Sequence, residues 1–229
     1  MGTQFGQDFI KLGFGTAALY RSDLLKAKVG LIRSYGVEPY PGGTFLEVAW
    51  LQGRLPEYLD TCERCGFRYV EVSDGTVTLA QEERLRAIDL ARSRGLRVIT
   101  EVGKKDGEVE LDPLDAIRQI EADRKAGASK VIVEGRESGK GVGIYDAKGN
   151  PKADEMEQIV AGLTDRSILM WETPMKEQQQ AMITRFGPNV SLGNIAPADV
   201  IALEALRRGL RGDTLKLVLP EAILGGGVS

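Results

Sequence analysis

The sequence contains no histidine among its 229 residues. That absence removes Ser-His-Asp and Cys-His nucleophilic catalysis, histidine-ligated zinc and imidazole acid–base chemistry. Chemistry must fall to Glu, Asp, Lys, Arg, Cys, Ser, Thr or Tyr. Cysteine is nearly absent too. Cys62 and Cys65 are the whole supply, too few for a disulfide-built secreted scaffold. They form one C-x-x-C in LPEYLDTCERCG, a helical stretch. A zinc site needs two more ligands, and a thioredoxin-type pair should open a helix rather than end one. Both cysteines therefore read as structural.

Long apolar runs are missing, so no membrane-spanning helix is expected. The opening residues, MGTQFGQDFIKLGFG, lack the basic-then-apolar order of a signal peptide. Excess charge of one sign is missing as well. With 33 acidic and 30 basic residues the net charge is -3, which gives no footprint for nucleic acid. These absences predict a soluble cytoplasmic protein. The length predicts one domain over 1–229, with 1–8 and 215–229 as terminal segments.

What is present is a repeating phrase: a helical stretch, a glycine, then an apolar β-prone run. It recurs at Gly36, Gly66, Gly95, Gly127 and Gly187. Glycine suits the left-handed turn just past a helix. The runs after it are almost continuously apolar, as in parallel strands buried on both faces. Strands are expected near 9–14, 37–40, 69–72, 98–101, 130–134, 168–171 and 190–192. Helix starts are read at Ser22, at Thr78 to Gln81 as a capping box, at Asp112-Pro113 and at Ala196-Pro197. Strict βα alternation predicts a parallel α/β sheet, open or closed as a (β/α)8 TIM barrel. Seven strands is one short of eight. Either 214–219 (TLKLVL) closes the barrel or a first βα unit is lacking.

The polar residues favour the barrel. Glu71, Glu101, Glu134 and Glu172 each end an apolar run, at spacings of 30, 33 and 38 residues. One acidic residue per βα unit at a common height makes a ring at the C-terminal mouth, where barrel active sites lie. Such a ring needs a cation or Lys/Arg partners. It can hold Mg2+, which takes oxygen ligands. The loop EVGKK adds Lys104 and Lys105, and the glycine-rich EGRESGKGVG adds Arg136, Ser138 and Lys140. Glycine lets backbone N–H groups approach an anion, and the cations add charge.

Long segments resemble the phosphosulfolactate synthase family: KLGFGTAAL, YPGGTFLE, GFRYVEVSDG, EVGKK, EGRESGKG and GNIAPADVIALEALRRGLRGDT, in that order. The resemblance implies a TIM barrel, often oligomeric, and Mg2+-dependent addition of sulfite to phosphoenolpyruvate on a route to coenzyme M. It implies Lys105 as the general acid. It implies substrate-binding roles for Lys11, Lys104, Arg136, Ser138, Lys140, Asn194, Arg208 and Arg211. Glu71, Glu101 and Glu134 are the metal candidates. Family members carry about one more βα unit before KLGFGT, ending in Asp-Lys-Gly. Here eight residues precede Phe9, so a barrel without its first βα unit is expected. Two other readings stand beside this one: a Schiff-base aldolase using Lys105, and a non-enzymatic protein like the family's heat-stress-associated plant relatives.

Overall fold

The computed structural model describes residues 8–104, 111–136 and 138–218. Seven short strands follow one another: β1 (Phe9–Leu12), β2 (Glu38–Pro41), β3 (Tyr69–Val72), β4 (Arg97–Val102), β5 (Ala128–Val133), β6 (Leu169–Glu172) and β7 (Leu192–Gly193). Every ladder is parallel. β1 pairs with β2, and β3 to β7 pair in chain order. β2 packs beside β3. All seven strands overlap the segments expected from the apolar runs.

Helices fill the connections: α1 (Ser22–Ser34), α2 (Gly43–Leu51), α3 (Leu55–Arg64), α4 (Gln81–Ser93), α5 (Pro113–Ala126), α6 (Ala153–Gly162), α7 (Lys176–Phe186), α8 (Val200–Arg207) and α9 (Leu215–Val218). Asp112 caps α5 as its sequence predicts, accepting from the N–H groups of Leu114 (2.8 Å) and Asp115 (2.9 Å). Two expected starts are corrected. Ser22 lies inside α1, whose N-cap Arg21 makes no side-chain cap bond. The box at α4 is shifted: Glu83 reaches back to the Ala80 N–H at 3.0 Å, so Thr78 is not the cap. The closing strand is also corrected. Helix α9 occupies 215–218, just after Thr214, whose hydroxyl donates back to Leu206 O at 2.6 Å, and Leu219 lies outside the described residues.

The strands curve around a common axis. Neighbouring strands lie about 4.8 Å apart, so a flat sheet would put β1 and β6 roughly 24 Å from each other. Instead Lys11 on β1 and Glu172 on β6 meet at 3.9 Å across the interior. The inner floor is a single layer: Phe9, Tyr40, Tyr69, Ile99, Ile132 and Met170, one residue from each of β1 to β6. Phe9 stands edge-on to Tyr69, with ring centroids 5.0 Å apart. Two larger apolar cores lie between the sheet and the helices. Buried side chains such as Leu46, Leu59, Val70 and Ile88 each stabilise by about 1.5–3 kcal/mol. Cys62 and Cys65 are free and buried in the first of these cores. No helix among the described residues is long and apolar enough to cross a membrane.

Candidate active site

Side chains two residues apart on a strand share a face. The residues two beyond the floor layer are therefore the next layer up. They are Lys11, Glu71, Glu101, Glu134 and Glu172, on or just past β1, β3, β4, β5 and β6. Three of the four carboxylates approach one ammonium, and Glu134 stands beside Glu101 and Glu172. Lys11 donates to Glu101 Oε2 at 3.1 Å. It forms an ion pair with Glu71 Oε2 at 3.0 Å and a looser one with Glu172 Oε1 at 3.9 Å. The Lys11 side chain is 28% exposed, against 0% for Glu71 and 1% for Glu101. The lysine is thus the member of the ring that an arriving anion meets.

Burial opposes the Lys11 charge, but Glu101 and Glu71 outweigh it and hold the ammonium well above its ordinary value. The carboxyls move the other way. Burial pushes Glu71 up to about 7, with Lys11 pulling down and Glu101 pushing further up. Burial, then the nearby Glu101 and Glu172 charges, push Glu134 up to about 9. Burial and Glu101 also raise Glu172. Glu134 is therefore a neutral acid at pH 7. Its Oε1 accepts from the Arg136 N–H at 2.7 Å, and its carboxyl shares a side-chain hydrogen bond with Glu172.

Local structure fixes these groups. Helix α2 aims its first N–H at the ring: Gly43 N donates to Glu71 Oε1 at 2.8 Å, where the helix dipole favours a carboxylate. A Cβ on Gly43 would lie 2.6 Å from that oxygen, which explains the glycine pair in YPGGT. Glu47, buried on α2, clasps the loop after β3. It accepts from Ser73 Oγ (2.5 Å) and from the N–H groups of Gly75, Thr76 and Val77 (3.0–3.2 Å). Gln178 on α7 ties down the long loop after β5, donating to the carbonyls of Gly139 and Gly149.

The sequence-predicted residues separate into groups. Lys11, Glu71, Glu101 and Glu134 are brought together in the ring. Glu172, which the apolar runs marked but the metal set left out, joins them. Arg136, Ser138 and Lys140 lie exposed on the β5 loop, and Asn194 Nδ2 donates to Arg136 O at 3.1 Å. Lys104 turns outward and is held by Asp74 Oδ2 (2.7 Å), Asp74 O (2.6 Å) and Val77 O (3.2 Å). Arg208 and Arg211 pair with Glu204 and Asp213. They lie beyond the end of α8, where Arg207 holds the carbonyls of Pro188 and Val190 ahead of β7. That is the end opposite the mouth. Lys105 lies outside the described residues. Sequence reasoning missed Glu47, Arg84, Asp74 and Asp123, whose spacing carries no period.

Among the described residues no three Cys, Asp or Glu side chains converge as a ready metal-ligand set. The ring still offers hard oxygen donors, a buried Glu134–Glu172 carboxyl pair and more carboxylates than cations. That donor set fits Mg2+, which binds through one or two carboxylates plus ligand oxygens rather than in an all-protein cage.

The fold has known counterparts. A dihydrodipicolinate synthase from Agrobacterium tumefaciens superposes with TM-score 0.57 at 10% identity, covering 93% of this chain and 67% of that one. A 2,3-dimethylmalate lyase of the PEP mutase/isocitrate lyase superfamily gives TM-score 0.53 at 14% identity, covering 98% and 87%. These likenesses establish the TIM-barrel-type α/β architecture alone. Sequence relatives are much nearer. The phosphosulfolactate synthase of Methanothermobacter thermautotrophicus is 49% identical over 213 residues, 91% of this chain and 81% of the relative. That of Methanocaldococcus jannaschii is 46% identical over 209 residues, 90% and 83%. That of Bacillus subtilis is 37% identical over 212 residues, 92% and 82%. A family model for (2R)-phospho-3-sulfolactate synthase (ComA) matches residues 6–213. That stretch takes in all seven strands and the whole charged ring, and the chain belongs to the (2R)-phospho-3-sulfolactate synthase family.

Proposed function

We infer that the chain is a phosphosulfolactate synthase, a lyase that joins sulfite to phosphoenolpyruvate and yields (2R)-phospho-3-sulfolactate. The observation that carries this reading is Lys11, an ammonium held in place by buried carboxylates and turned toward the mouth. A reaction between two anions needs such a fixed cation, and it needs no histidine. Sulfite brings its own lone pair. Its sulfur forms the C–S bond to the terminal methylene carbon, and the double-bond pair moves into the carboxylate as an aci-carboxylate. That pair then returns to take a proton at the phosphate-bearing carbon.

The chain's residues divide this work. Lys11 binds and orients the substrate carboxylate and stabilises the charge that develops there. Glu71 and Glu101 keep Lys11 in position. The β5 loop, with Arg136, Ser138 and Lys140, faces the phosphate and sulfite. Lys105 delivers the proton, a role open to a lysine amine. Mg2+ would be held by carboxylates drawn from Glu71, Glu101 and Glu134, Glu134 giving up its proton to take part, and it would supply further charge stabilisation at the substrate oxygens. The protein acts in the cytoplasm as a homo-oligomer. The exposed Leu24, Leu31 and Leu51 on α1 and α2 support self-association.

The test is direct. Protein is incubated with Mg2+, phosphoenolpyruvate and sulfite, and phosphosulfolactate is followed by mass spectrometry. Product that needs both reactants is expected. Folded protein that makes none overturns the reading.

A further inference from the structure

Arg84, on α4, is among the largest fully buried side chains of the protein. It lies outside the barrel wall, yet it grips the mouth from behind. Its Nε and Nη2 donate to Asp123 of α5 at 2.6–3.2 Å. Its Nη2 also donates to the main-chain oxygen of Glu101 at 2.9 Å, and its Nη1 to Asp74 Oδ1 at 3.0 Å. Asp123 is fully buried and takes a further bond from Gln119 Nε2 at 2.8 Å. Asp74 in turn holds Lys104 by its other carboxylate oxygen at 2.7 Å.

The four groups sum to zero charge, two cations against two carboxylates. That balance, with each charge hydrogen-bonded, is what lets Arg84 and Asp123 sit fully buried while Asp74 and Lys104 reach the partly exposed rim. A structural pair would need only Arg84 and Asp123. Here the guanidinium fork spends its remaining donors on the two strand ends that build the mouth. The carbonyl it holds belongs to Glu101, whose side chain holds Lys11 on the inner side of the same strand. A shift of that peptide moves Glu101 Oε2 relative to Lys11. A planar fork is needed, because a lysine at this place is a point charge that satisfies one partner.

We propose that Arg84 is a positioning residue of the synthase site, setting Lys11 through the main chain of Glu101, with Asp74 holding the outer arm of its fork. The inference rests on the synthase reading. Asp123 is the counter-charge that aims the fork.

The test compares wild type, R84M, R84K and D74N, with rates expressed per folded protein by circular dichroism and thermal melting. Misplacing a reacting group by about 1 Å costs roughly 100-fold. R84M is therefore expected to lose about that factor in kcat, with the change in KM the smaller part of the effect. R84K should recover part of the loss. D74N, at a partly exposed carboxylate, should lower kcat while leaving the melting temperature close to that of wild type. Wild-type kcat in folded R84M or folded D74N overturns the proposal, as does a rise in KM at unchanged kcat. If R84M does not fold, D74N decides. A wild-type protein that makes no product overturns the synthase reading itself, and the inference falls with it.

Discussion

Glu134→Gln should stabilise the protein at neutral pH. The Glu134 carboxyl is buried against Glu101 and Glu172 and stays protonated to about pH 9, whereas an ordinary glutamate ionises at 4.5. Between those values the folded chain keeps a proton that the unfolded chain releases. The stability this group contributes is fully present below 4.5, declines as pH rises, and is lost once the folded carboxyl ionises near 9. At pH 7 the loss depends only on the distance from 4.5, because the folded group has not yet titrated. At about 1.4 kcal/mol per pH unit it comes to about 3 kcal/mol. Glutamine keeps the shape and the Oε1 that accepts from Arg136 N at 2.7 Å. Its amide hydrogens can face Glu172, and it has no proton to lose. The variant should match wild type to within about 1 kcal/mol at pH 5 and exceed it by about 3 kcal/mol at pH 7. In a domain of this size that is a rise of roughly 6–12 °C in Tm. Urea unfolding at a series of pH values, with a chelator present, reads it out. Parallel stability curves for variant and wild type would refute the argument.

Three further outcomes are expected. Lys11→Met removes the cation shared by Glu71, Glu101 and Glu172. Activity should fall by at least about 100-fold, as for loss of a preorganised charge, and stability should fall more steeply with rising pH, both measurable on one preparation. Glu47→Ala strips four donors of the β3 loop of their acceptor and should cost about 3–5 kcal/mol. Hydrogen exchange at residues 75–77 should accelerate before that of the strands. Lys105→Ala should abolish product formation without lowering Tm, and full activity in that variant would remove Lys105 from the proton-transfer role.

The fold was legible because one period governs it. Buried parallel strands must be apolar on both faces, so runs such as YVEV and RVITEV mark themselves, and the glycines between helix and strand mark the joints. All five of those glycines have positive φ, between 74° and 99°. The ring was legible for the same reason, since each glutamate interrupts an apolar run at a strand end. Glu47, Arg84 and Asp123 were not legible. They sit on helices, where a charged residue ordinarily faces water, and only the packing of α2, α4 and α5 turns them inward. Lys104 illustrates the converse. Its place in EVGKK suggested an anion binder, but the nearby Asp74 and two carbonyls engage it first. Arg208 and Arg211 follow from helix direction: α8 carries the chain from the mouth to the far end, so residues at its end arrive there. The eighth-strand alternative failed because TLKLVL is as apolar as a strand but begins in a turn that closes a helix.

Each ionic residue of the ring stands two positions above a floor residue of its own strand. The division between oily base and charged mouth is therefore written into a fixed count of backbone steps. Replacing a single residue of either layer leaves that count intact and is felt at one position. Adding or deleting a single residue between Tyr69 and Glu71, or at the equivalent step of β4, β5 or β6, has a different effect. It would carry the carboxylate through the wall into the helix layer and bring its chain neighbour to the mouth. A change of length in these short segments therefore displaces every ring group beyond it on that strand, whereas a substitution alters one.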